Sequence, residues 1–305
     1  MSDKYFVSVN PNSGAGKSGK DWPSIKQKLE QTGLEFDYAL STQHRENIEH
    51  VQHALKQGFR KFIGVGGDGT MHHLVNGVLG QSEVPSTEVE LSLISIGTGN
   101  DWVRHYDISR SYDEVIQLIK QGKTALQDAG KLSYADGHGE EYFMNFAGIG
   151  YDAYVVEHTV DLKRFGQIAY LFGLVKCLFH YDPQQLKVEV DGKPLLDEEI
   201  FMLIAGIGKY AGGGMMLSKN AEINDGFFEL TYGKNLSKAE IVSIVHKLFD
   251  GNYITHPKVE TLKCKQIKVQ AKNKDLVKAE ADGELIGLGD FEVNIIPCAL
   301  KIIVP

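Results

Sequence analysis

The sequence predicts an α/β domain built on a parallel sheet, followed by a β-rich domain that resembles a sandwich. In the first part of the chain, short apolar strands alternate with helical patterns and short connections, which is typical of a parallel α/β layer. Further along, short alternating strands and turn signals dominate. We therefore expect domains at residues 1–128 and 129–305, and whether the final strand returns to the first domain is left open.

The individual elements follow from the apolar pattern and from the turn residues. In the first domain, strands are expected at 5–9, 36–40, 62–65 and 91–96, and helices at about 19–31, 46–57, after 70, and 112–120. In the second domain, helical insertions are expected at about 150–179 and 237–249. Asp-Gly pairs favour hairpin turns, and they recur at 136–137, 191–192, 225–226, 250–251 and 282–283.

Charge argues against one large class of function. The 305 residues have a formal net charge of −8, with 42% hydrophobic and 24% charged residues. Residues 1–128 have 13 basic and 16 acidic side chains, and the remainder has 19 and 24. Because neither half is basic, we expect no nucleic-acid partner.

Cysteine usage and apolar segments indicate a cytoplasmic protein. Cys177, Cys264 and Cys298 have no metal-ligand spacing and are expected to be reduced thiols. The N-terminus runs almost directly into a strand, so no signal peptide is expected. The longest apolar segment, 168–179, contains a lysine and is too short to span a bilayer.

The most informative stretch is the glycine-rich turn from Gly64 to Thr70, which lies between a strand and a helical pattern. Glycines there let the backbone approach a ligand, and a helix N-terminus offers N–H groups to an anion. The spacing also fits the G-x-G-x-x-G dinucleotide signature, but only after about the third strand. The negative charge of Asp68 would repel a bare pyrophosphate, whereas a Mg²⁺ ion bound between the two would remove this repulsion. A tight turn with Asp68 capping the helix is the alternative.

Three other polar stretches also follow predicted strands, namely 10–18, Thr42 and 97–101. Ligands of parallel sheets bind at the carboxyl ends of the strands, so these stretches are expected to form one site. Pro11 occupies the position where a Walker A loop needs glycine, which excludes that motif. A second phosphate-facing loop and a plain flexible loop both remain open for 10–18.

Four motifs together resemble one known family. They are Asn10-Pro11-Asn12-Ser13-Gly14, Gly66-Gly67-Asp68-Gly69-Thr70, Gly97-Thr98-Gly99-Asn100-Asp101 and Asp282-Gly283-Glu284. In this order and at these separations, the chain resembles the diacylglycerol kinase catalytic-domain family, which includes bacterial lipid kinases and the sphingosine and ceramide kinases. The resemblance implies an α/β domain of the NAD kinase/diacylglycerol kinase type, a β-sandwich-like second domain, and ATP in the cleft between them.

The resemblance also implies roles for particular residues. The implied nucleotide-binding residues are Asn10, Pro11, Asn12, Ser13, Gly14, Thr42, Gly66, Gly67, Asp68, Gly69, Thr70, Thr98, Gly99 and Asn100. Asp68 would act through Mg²⁺, and either Asp282 or Glu284 would be the general base. A second, structural Mg²⁺ would be bound by the Asp225 side chain and the backbone oxygens of Glu222 and Phe227.

The chain departs from the family pattern in two places. His72 and His73 stand where many relatives have Asn and Glu, and Lys219 stands where many have proline. The implied activity is ATP- and Mg²⁺-dependent phosphorylation of diacylglycerol or a similar lipid alcohol, by a protein peripheral to the membrane. A kinase for a soluble acceptor such as NAD is one alternative, and a nucleotide- or lipid-binding sensor with little turnover is the other. A homodimer is left open.

Two further segments are open to two interpretations each. The largely apolar stretch from Phe165 to Phe179 is either a lipid access surface or a helix packed on the sandwich. A lysine-rich stretch faces anionic lipid headgroups or is the solvated face of strands. Its residues are Lys258, Lys263, Lys265, Lys268, Lys272, Lys274 and Lys278.

Overall fold

The computed structural model describes residues 4–97, 99–135, 137, 139–159, 167–272 and 277–305, without the side chains of 167–171. The chain divides into two compact units, Met1–Gln127 with Cys298–Pro305, and Asp128–Pro297. None of the described helices has both the length and the apolarity that crossing a bilayer requires.

The first unit is a parallel sheet with helices. Its elements are β1 (Tyr5–Val9), α1 (Lys17–Gln31), β2 (Phe36–Leu40), α2 (Glu46–Lys56), β3 (Lys61–Gly66), α3 (Asp68–Leu79), β4 (Glu90–Ser95), α4 (Asp101–His105), α5 (Tyr112–Gln121) and the end of β17 (Phe291–Ile303). The strand order is β17-β4-β3-β1-β2, and every neighbouring pair is parallel. The final strand joins this sheet through Lys301 and Ile302, which pair with Glu90 and Leu91.

Burial explains why these segments form the sheet. All five residues of β1 are buried, and β3 and β4 are buried except at their first residue. Such continuous apolar runs are typical of parallel strands covered on both faces. The edge strand β2 has only half-buried and exposed residues. The predicted first strand is confirmed at 5–9, and α1 begins two residues before the predicted helix, after Gly16 in a left-handed conformation.

The second unit is built mainly from antiparallel strands. Its elements are β5 (Thr124–Tyr134), β6 (Glu140–Phe143), β7 (Phe146–Gly150), α6 (Tyr151–Thr159), α7 (Gln167–Leu178), β8 (Gln184–Val190), β9 (Lys193–Gly206), β10 (Tyr210–Ala211), β11 (Met215–Met216), β12 (Phe228–Lys234), α8 (Lys238–Ile244), β13 (Val259–Cys264), β14 (Gln266–Ala271), β15 (Lys278–Ala281), β16 (Glu284–Leu288) and most of β17.

These strands pair in the order β16-β15-β7-β9-β8-β14-β17. The long strand β9 also pairs with β12, which pairs with β13, while β5 pairs with β17 and β6. A buried core that includes Phe143, Leu203 and Phe291 lies among them. A second buried cluster forms where α6, α7 and α8 pack, and Tyr151, Leu174 and Ile241 belong to it.

The Asp-Gly pairs show where the turn predictions succeed and where they fail. Asp191-Gly192 joins β8 to β9, and Asp282-Gly283 joins β15 to β16, so both predicted hairpins are confirmed. The predictions at 225–226 and 250–251 are wrong. Gly226 and Gly251 have φ angles of 76° and 70°, and such left-handed glycines serve loops as well as hairpins. Asp136 lies outside the described residues.

Candidate functional site

In the first unit, the ends of three neighbouring strands are connected by backbone hydrogen bonds. The N–H of Asn10, just past β1, donates to the carbonyl of Val65 in β3 at 3.0 Å. The N–H of Ile96, just past β4, donates to the carbonyl of Gly66 at 2.6 Å. The polar loops that follow these strands therefore begin at one edge of the sheet, as predicted for a ligand site.

Close contacts among these loops require glycine at position 66. The Ser13 and Thr70 hydroxyls lie 3.4 Å apart, and the N–H of Gly67 donates to the Ser13 hydroxyl at 3.4 Å. A Cβ on Gly66 would lie 2.9 Å from the Ser13 hydroxyl and still closer to that of Thr70. Thr70 is only 1% exposed, so its hydroxyl serves to hold the loops together.

The Asp68 carboxylate links the glycine-rich turn to the loop after β4. Its Oδ2 accepts the N–H of Asp101 at 3.1 Å, and its Oδ1 accepts the N–H of Trp102 at 3.3 Å. Asp68 is the first residue of α3, but the hydrogen bonds go to the start of α4. These two bonds connect Asp68 to α4, whereas the alternative interpretation of the sequence has it cap its own helix. An ionised carboxylate is also the kind of ligand that Mg²⁺ takes in proteins.

The loop after β4 has an internal scaffold. The Asn100 side chain accepts the Ser95 hydroxyl proton at 2.5 Å and donates to the Gly97 carbonyl at 2.8 Å. Asn100 is 3% exposed and adopts a left-handed conformation, φ 52°. Its side chain thus shapes the loop from inside, while Gly99 stays partly exposed. Thr98 lies outside the described residues.

The remaining predicted nucleotide residues lie in two loops at the same strand ends. Asn10 accepts the N–H of Asn12 at 3.1 Å, while Pro11 and Gly14 are partly exposed in the same loop. The Thr42 hydroxyl donates to Glu46 Oε2 at 3.0 Å, at the start of α2. Hydrogen bonds from the Thr42 and Gln43 backbones lower the pKa of the Glu46 carboxyl.

The two histidines that depart from the family pattern are buried in α3. His72 and His73 are 0% and 4% exposed, and their ring centroids are 5.9 Å apart. The His72 ring lies 3.2 Å from the Asn76 amide, and the His73 ring packs edge-on against His44 at 5.4 Å. These contacts place both rings inside the first unit.

In the second unit, the Asp282 carboxylate accepts hydrogen bonds from the backbone of a distant segment. Its Oδ1 accepts the N–H groups of Asn145 and Phe146, both at 3.0 Å, and its Oδ2 accepts that of Met144 at 2.9 Å. Asp282 has a φ of 49° and Gly283 one of 84°, as a two-residue hairpin requires. The turn therefore ties β15 and β16 to the segment that leads into β7.

This turn also breaks the alternation expected for residues 280, 282 and 284. In a continuous extended strand these three alternating carboxylates would share one face, but Asp282 lies in the turn and folds back to accept N–H groups. Glu280 is 2% exposed, and its Oε2 accepts the N–H of Gly283 at 2.6 Å. Glu284, the first residue of β16, is partly exposed.

Glu280 forms a buried acid pair with Asp152 of α6. Burial, and then the neighbouring Asp152 carboxyl with its hydrogen bond, raise the pKa of Glu280 well above its ordinary value. Gly148 of β7 provides the space, since a Cβ there would lie 2.8 Å from Glu280 Oε1 and even nearer to Asp152. The raised pKa favours the protonated form of Glu280, and its hydrogen bond to Gly283 supports the Asp282–Glu284 turn from inside.

An apolar cavity of about 60 Å³ lies beside this acid pair. Residues of α7, α8 and β9 line it, including Leu174, Ile241 and Phe201. Of the described residues that line the cavity, Asp152 alone is charged. The cavity thus has an apolar body and one acidic position.

The loop 222–227, where the resemblance implies a structural Mg²⁺, has a lysine beside it. Lys263 Nζ lies 2.5 Å from Asp225 Oδ2 and 3.5 Å from Glu222 Oε1. Asp225 Oδ1 accepts the N–H of Phe227 at 3.0 Å. The ammonium of Lys263 is therefore paired with the carboxylate that the ion would need, and a divalent ion would have to displace it. Metal binding by Asp225, Glu222 and Phe227 stays a prediction.

Sequence reasoning missed two residues at these sites. Asp152 lies one position into α6, and nothing in its neighbourhood marks it as the partner of Glu280 across 128 positions of chain. Lys263 was grouped with a lysine-rich stretch, in which Lys258, Lys268 and Lys278 also pair with carboxylates. Residue spacing reports neither contact because both are long-range.

Two family models match the chain. The model described as "Diacylglycerol kinase catalytic domain" matches residues 4–132. The model described as "YegS C-terminal NAD kinase beta sandwich-like domain" matches residues 145–304, which is more than half of the chain. The two matches divide the sequence much as the two compact units do.

Curated proteins and solved structures agree with these matches. The chain is 28% identical to a diacylglycerol kinase of Bacillus subtilis, over 95% of this chain and 92% of that protein. It is 28% identical to a diacylglycerol kinase of Staphylococcus carnosus, over 89% of this chain and 86% of that protein. A crystal structure of a diacylglycerol kinase from Bacillus anthracis superposes with a TM-score of 0.72 at 19% identity, covering 99% and 97% of the two chains. That structural likeness concerns the fold alone.

Proposed function

The chain belongs to the diacylglycerol kinase family of lipid kinases, and we propose that it transfers the γ-phosphate of ATP, with Mg²⁺, to the hydroxyl of diacylglycerol or a similar lipid alcohol. In this proposal the first unit binds the nucleotide, and the second unit provides the base and binds the lipid. The product is a phosphorylated lipid and ADP.

The observation that best supports the proposal is the set of interlocked loops at the strand ends of the first unit. Gly66 leaves room for the Ser13 and Thr70 hydroxyls, Gly67 donates its N–H to Ser13, and Asp68 fixes the next loop through two N–H groups. Phosphoryl transfer depends mainly on positioned phosphates and on charge stabilisation. Rigid glycine loops with one carboxylate supply those two requirements. The proposed nucleotide contacts are those named above from Asn10 to Asn100.

Asp68 is the residue that would hold Mg²⁺. It is the carboxylate of the glycine-rich turn, and Mg²⁺ typically takes one or two carboxylates plus phosphate oxygens. When bound, the ion would neutralise the developing charge on the phosphates. The two backbone hydrogen bonds hold the carboxylate in one orientation, which limits the reorganisation that binding requires.

We assign the role of general base to Glu284 and a positioning role to Asp282. The two carboxylate oxygens of Asp282 accept three backbone N–H groups, and these bonds hold the side chain in the turn. Glu284 is partly exposed at the start of β16, where an acceptor hydroxyl can reach it. It would take the hydroxyl proton as the new phosphate–oxygen bond forms.

The apolar cavity supports a lipid acceptor in preference to NAD. Its described lining is almost entirely aliphatic and aromatic, with Asp152 as the exception. A chain of methylene groups gains free energy from such a lining, about 0.8 kcal/mol per buried CH₂. The cavity is bounded by residues of α7 and α8, so a movement of either helix would change the space open to an acyl chain.

The test is a panel of acceptors offered to the purified protein with labelled ATP and Mg²⁺. The acceptors are diacylglycerol and other lipid alcohols in mixed micelles, and NAD in solution. We expect label in diacylglycerol or a related lipid alcohol, and its loss in Asp68→Ala and in Glu284→Ala. Label in NAD with none in lipid would contradict the proposal, and so would ATP binding without transfer to any acceptor.

A further inference from the structure

The outer surface of α7 and α8 has an unusual arrangement of apolar side chains. Phe172 and Phe179 of the α7 region are 72% and 61% exposed, whereas the other large apolar side chains that the structure describes as exposed reach only 40–45%. Residues 172, 176 and 179 follow helical spacing, so the two phenylalanines flank Lys176 on one side of the helix. Single exposed apolar residues are ordinary, but two aromatic rings on one helical face are not.

The neighbouring helix extends this surface. Lys238, at the start of α8, donates to the carbonyl of Phe179 at 2.9 Å, which brings the start of α8 next to the end of α7. Val242 and Phe249 are 44% and 43% exposed on and just after α8. We call the surface of Phe172, Lys176, Phe179, Lys238, Val242 and Phe249 the phenylalanine face.

The charge of this surface is the reverse of that of the whole chain. The chain has a net charge of −8, yet residues 172–180 and 238–250 contain three lysines and two acidic residues, Glu240 and Asp250. Glu240 is paired with Lys258 at 2.9 Å and with the Ser237 cap. The lysines that surround the exposed rings therefore favour an anionic partner.

The inner side of the same helices lines the apolar cavity. Leu174 lies opposite the exposed rings of α7, and Ile241 and Ile244 are the buried positions of α8. A lipid that leaves a bilayer at the phenylalanine face would meet these side chains first. Aromatic rings that enter the headgroup region and lysines that attract anionic lipids are the two requirements for interfacial binding.

We propose that the phenylalanine face docks on the surface of an anionic bilayer and delivers the acceptor lipid to the cavity beneath α7 and α8. The docking step stands on the exposed rings and the charge of the face, and the delivery step rests on the lipid kinase function proposed above. A second copy of this chain is the competing occupant of the face. In that case the protein would form a dimer in solution through this face.

Vesicle sedimentation tests the docking step. Wild-type protein is mixed with vesicles of equimolar phosphatidylcholine and phosphatidylglycerol, or of phosphatidylcholine alone. We expect Phe172→Ser/Phe179→Ser to weaken binding to the anionic vesicles about tenfold or more. Lys176→Glu/Lys238→Glu should weaken it about tenfold or more, because each lysine contributes roughly fivefold near an anionic surface. The matched control is Tyr38→Ser/Leu126→Ser, which removes two exposed apolar side chains of the first unit and should bind as wild type does.

Two further readouts separate the outcomes. A short-chain diacylglycerol dispersed in solution should be phosphorylated equally by wild type and by the phenylalanine variant, since no docking is needed. Equal vesicle binding by all variants would overturn the docking proposal, as would a dimer in sedimentation velocity that only the phenylalanine variant disrupts. If wild type binds vesicles through this face but phosphorylates no lipid, the docking step holds and the lipid kinase function fails.

Discussion

Asp68 and Asp282 both lie in glycine-containing turns and both accept backbone hydrogen bonds, but these bonds have different consequences in the two units. Each accepts backbone N–H groups from a segment distant in sequence, two for Asp68 and three for Asp282. The hydrogen bonds of Asp68 connect two loops at one edge of the parallel sheet, whereas those of Asp282 attach a hairpin turn to the segment before β7. Because these partners are distant in the chain, neither glycine-containing motif reports them.

The largest expected effect comes from Asp68→Asn. The amide has one acceptor oxygen and no charge, so it loses the metal and one of its two backbone partners. We expect kcat/KM to fall at least about 10³-fold. Steady-state transfer from labelled ATP measures the change, and Asp37→Asn, a half-exposed residue paired with Lys4, is the matched control. Activity within tenfold of wild type would contradict the role of Asp68.

Asp282→Asn should act mainly on stability. An Asn side chain would present an NH₂ group to at least one of the three N–H donors, which costs about 1–3 kcal/mol in the free energy of unfolding. Urea unfolding measures the loss. We expect kcat at a temperature well below unfolding to fall less than tenfold. A fall of several hundredfold in kcat with unchanged stability would instead assign the base to Asp282.

The acid pair predicts a pH dependence of stability. Above the ordinary pKa of 4.5, an unfolded chain has lost the Glu280 proton, while the folded protein retains it because its pKa is raised. The folded state then binds more protons, so this contribution to the free energy of unfolding is present below 4.5 and is lost as pH rises through the folded pKa. Glu280→Gln keeps the hydrogen bonds without a titrating proton.

The measurement is urea unfolding of wild type and Glu280→Gln across a pH series. We expect the difference in favour of the variant to grow from about pH 5 upward. Glu189→Gln, a partly exposed residue beside Lys187, is the control for the charge change. A difference that stays constant with pH would show that Glu280 does not retain its proton in the folded state.

The smallest effect concerns Lys263 and the loop 222–227. Because the ammonium already neutralises Asp225, we expect Mg²⁺ and EDTA to leave the unfolding temperature of this unit unchanged in wild type. Lys263→Met should lower that temperature slightly and make it rise when Mg²⁺ is added. Mg²⁺ stabilisation of wild type that Asp225→Asn abolishes would restore the metal site that the family resemblance implies.

The sequence was a good guide to elements and a poorer guide to contacts. Continuous apolar runs predicted β1, β3 and β4 because parallel strands are buried on both faces. The motifs also placed Gly66 and Asp68 at the correct strand end. Periodicity failed at 280–284, where the alternation crosses a hairpin turn.

Long-range pairings were the main omission. Glu280 with Asp152, and Lys263 with Asp225, join residues that are far apart in the chain, and neither pair has a local signature. The hydrogen bonds from Asp68 to α4 fall in the same class. Such contacts depend on how strands are ordered in a sheet, and local propensity does not contain that information.

The most direct test of the account is the transfer of labelled phosphate to diacylglycerol by Glu284→Gln beside wild type and Glu189→Gln. Loss of a general base typically lowers kcat about 10²–10⁴-fold. We predict a loss of that size for Glu284→Gln, with its unfolding temperature and ATP affinity unchanged, and full activity for Glu189→Gln. Wild-type turnover of diacylglycerol by Glu284→Gln, or no turnover by wild type itself, would contradict the account.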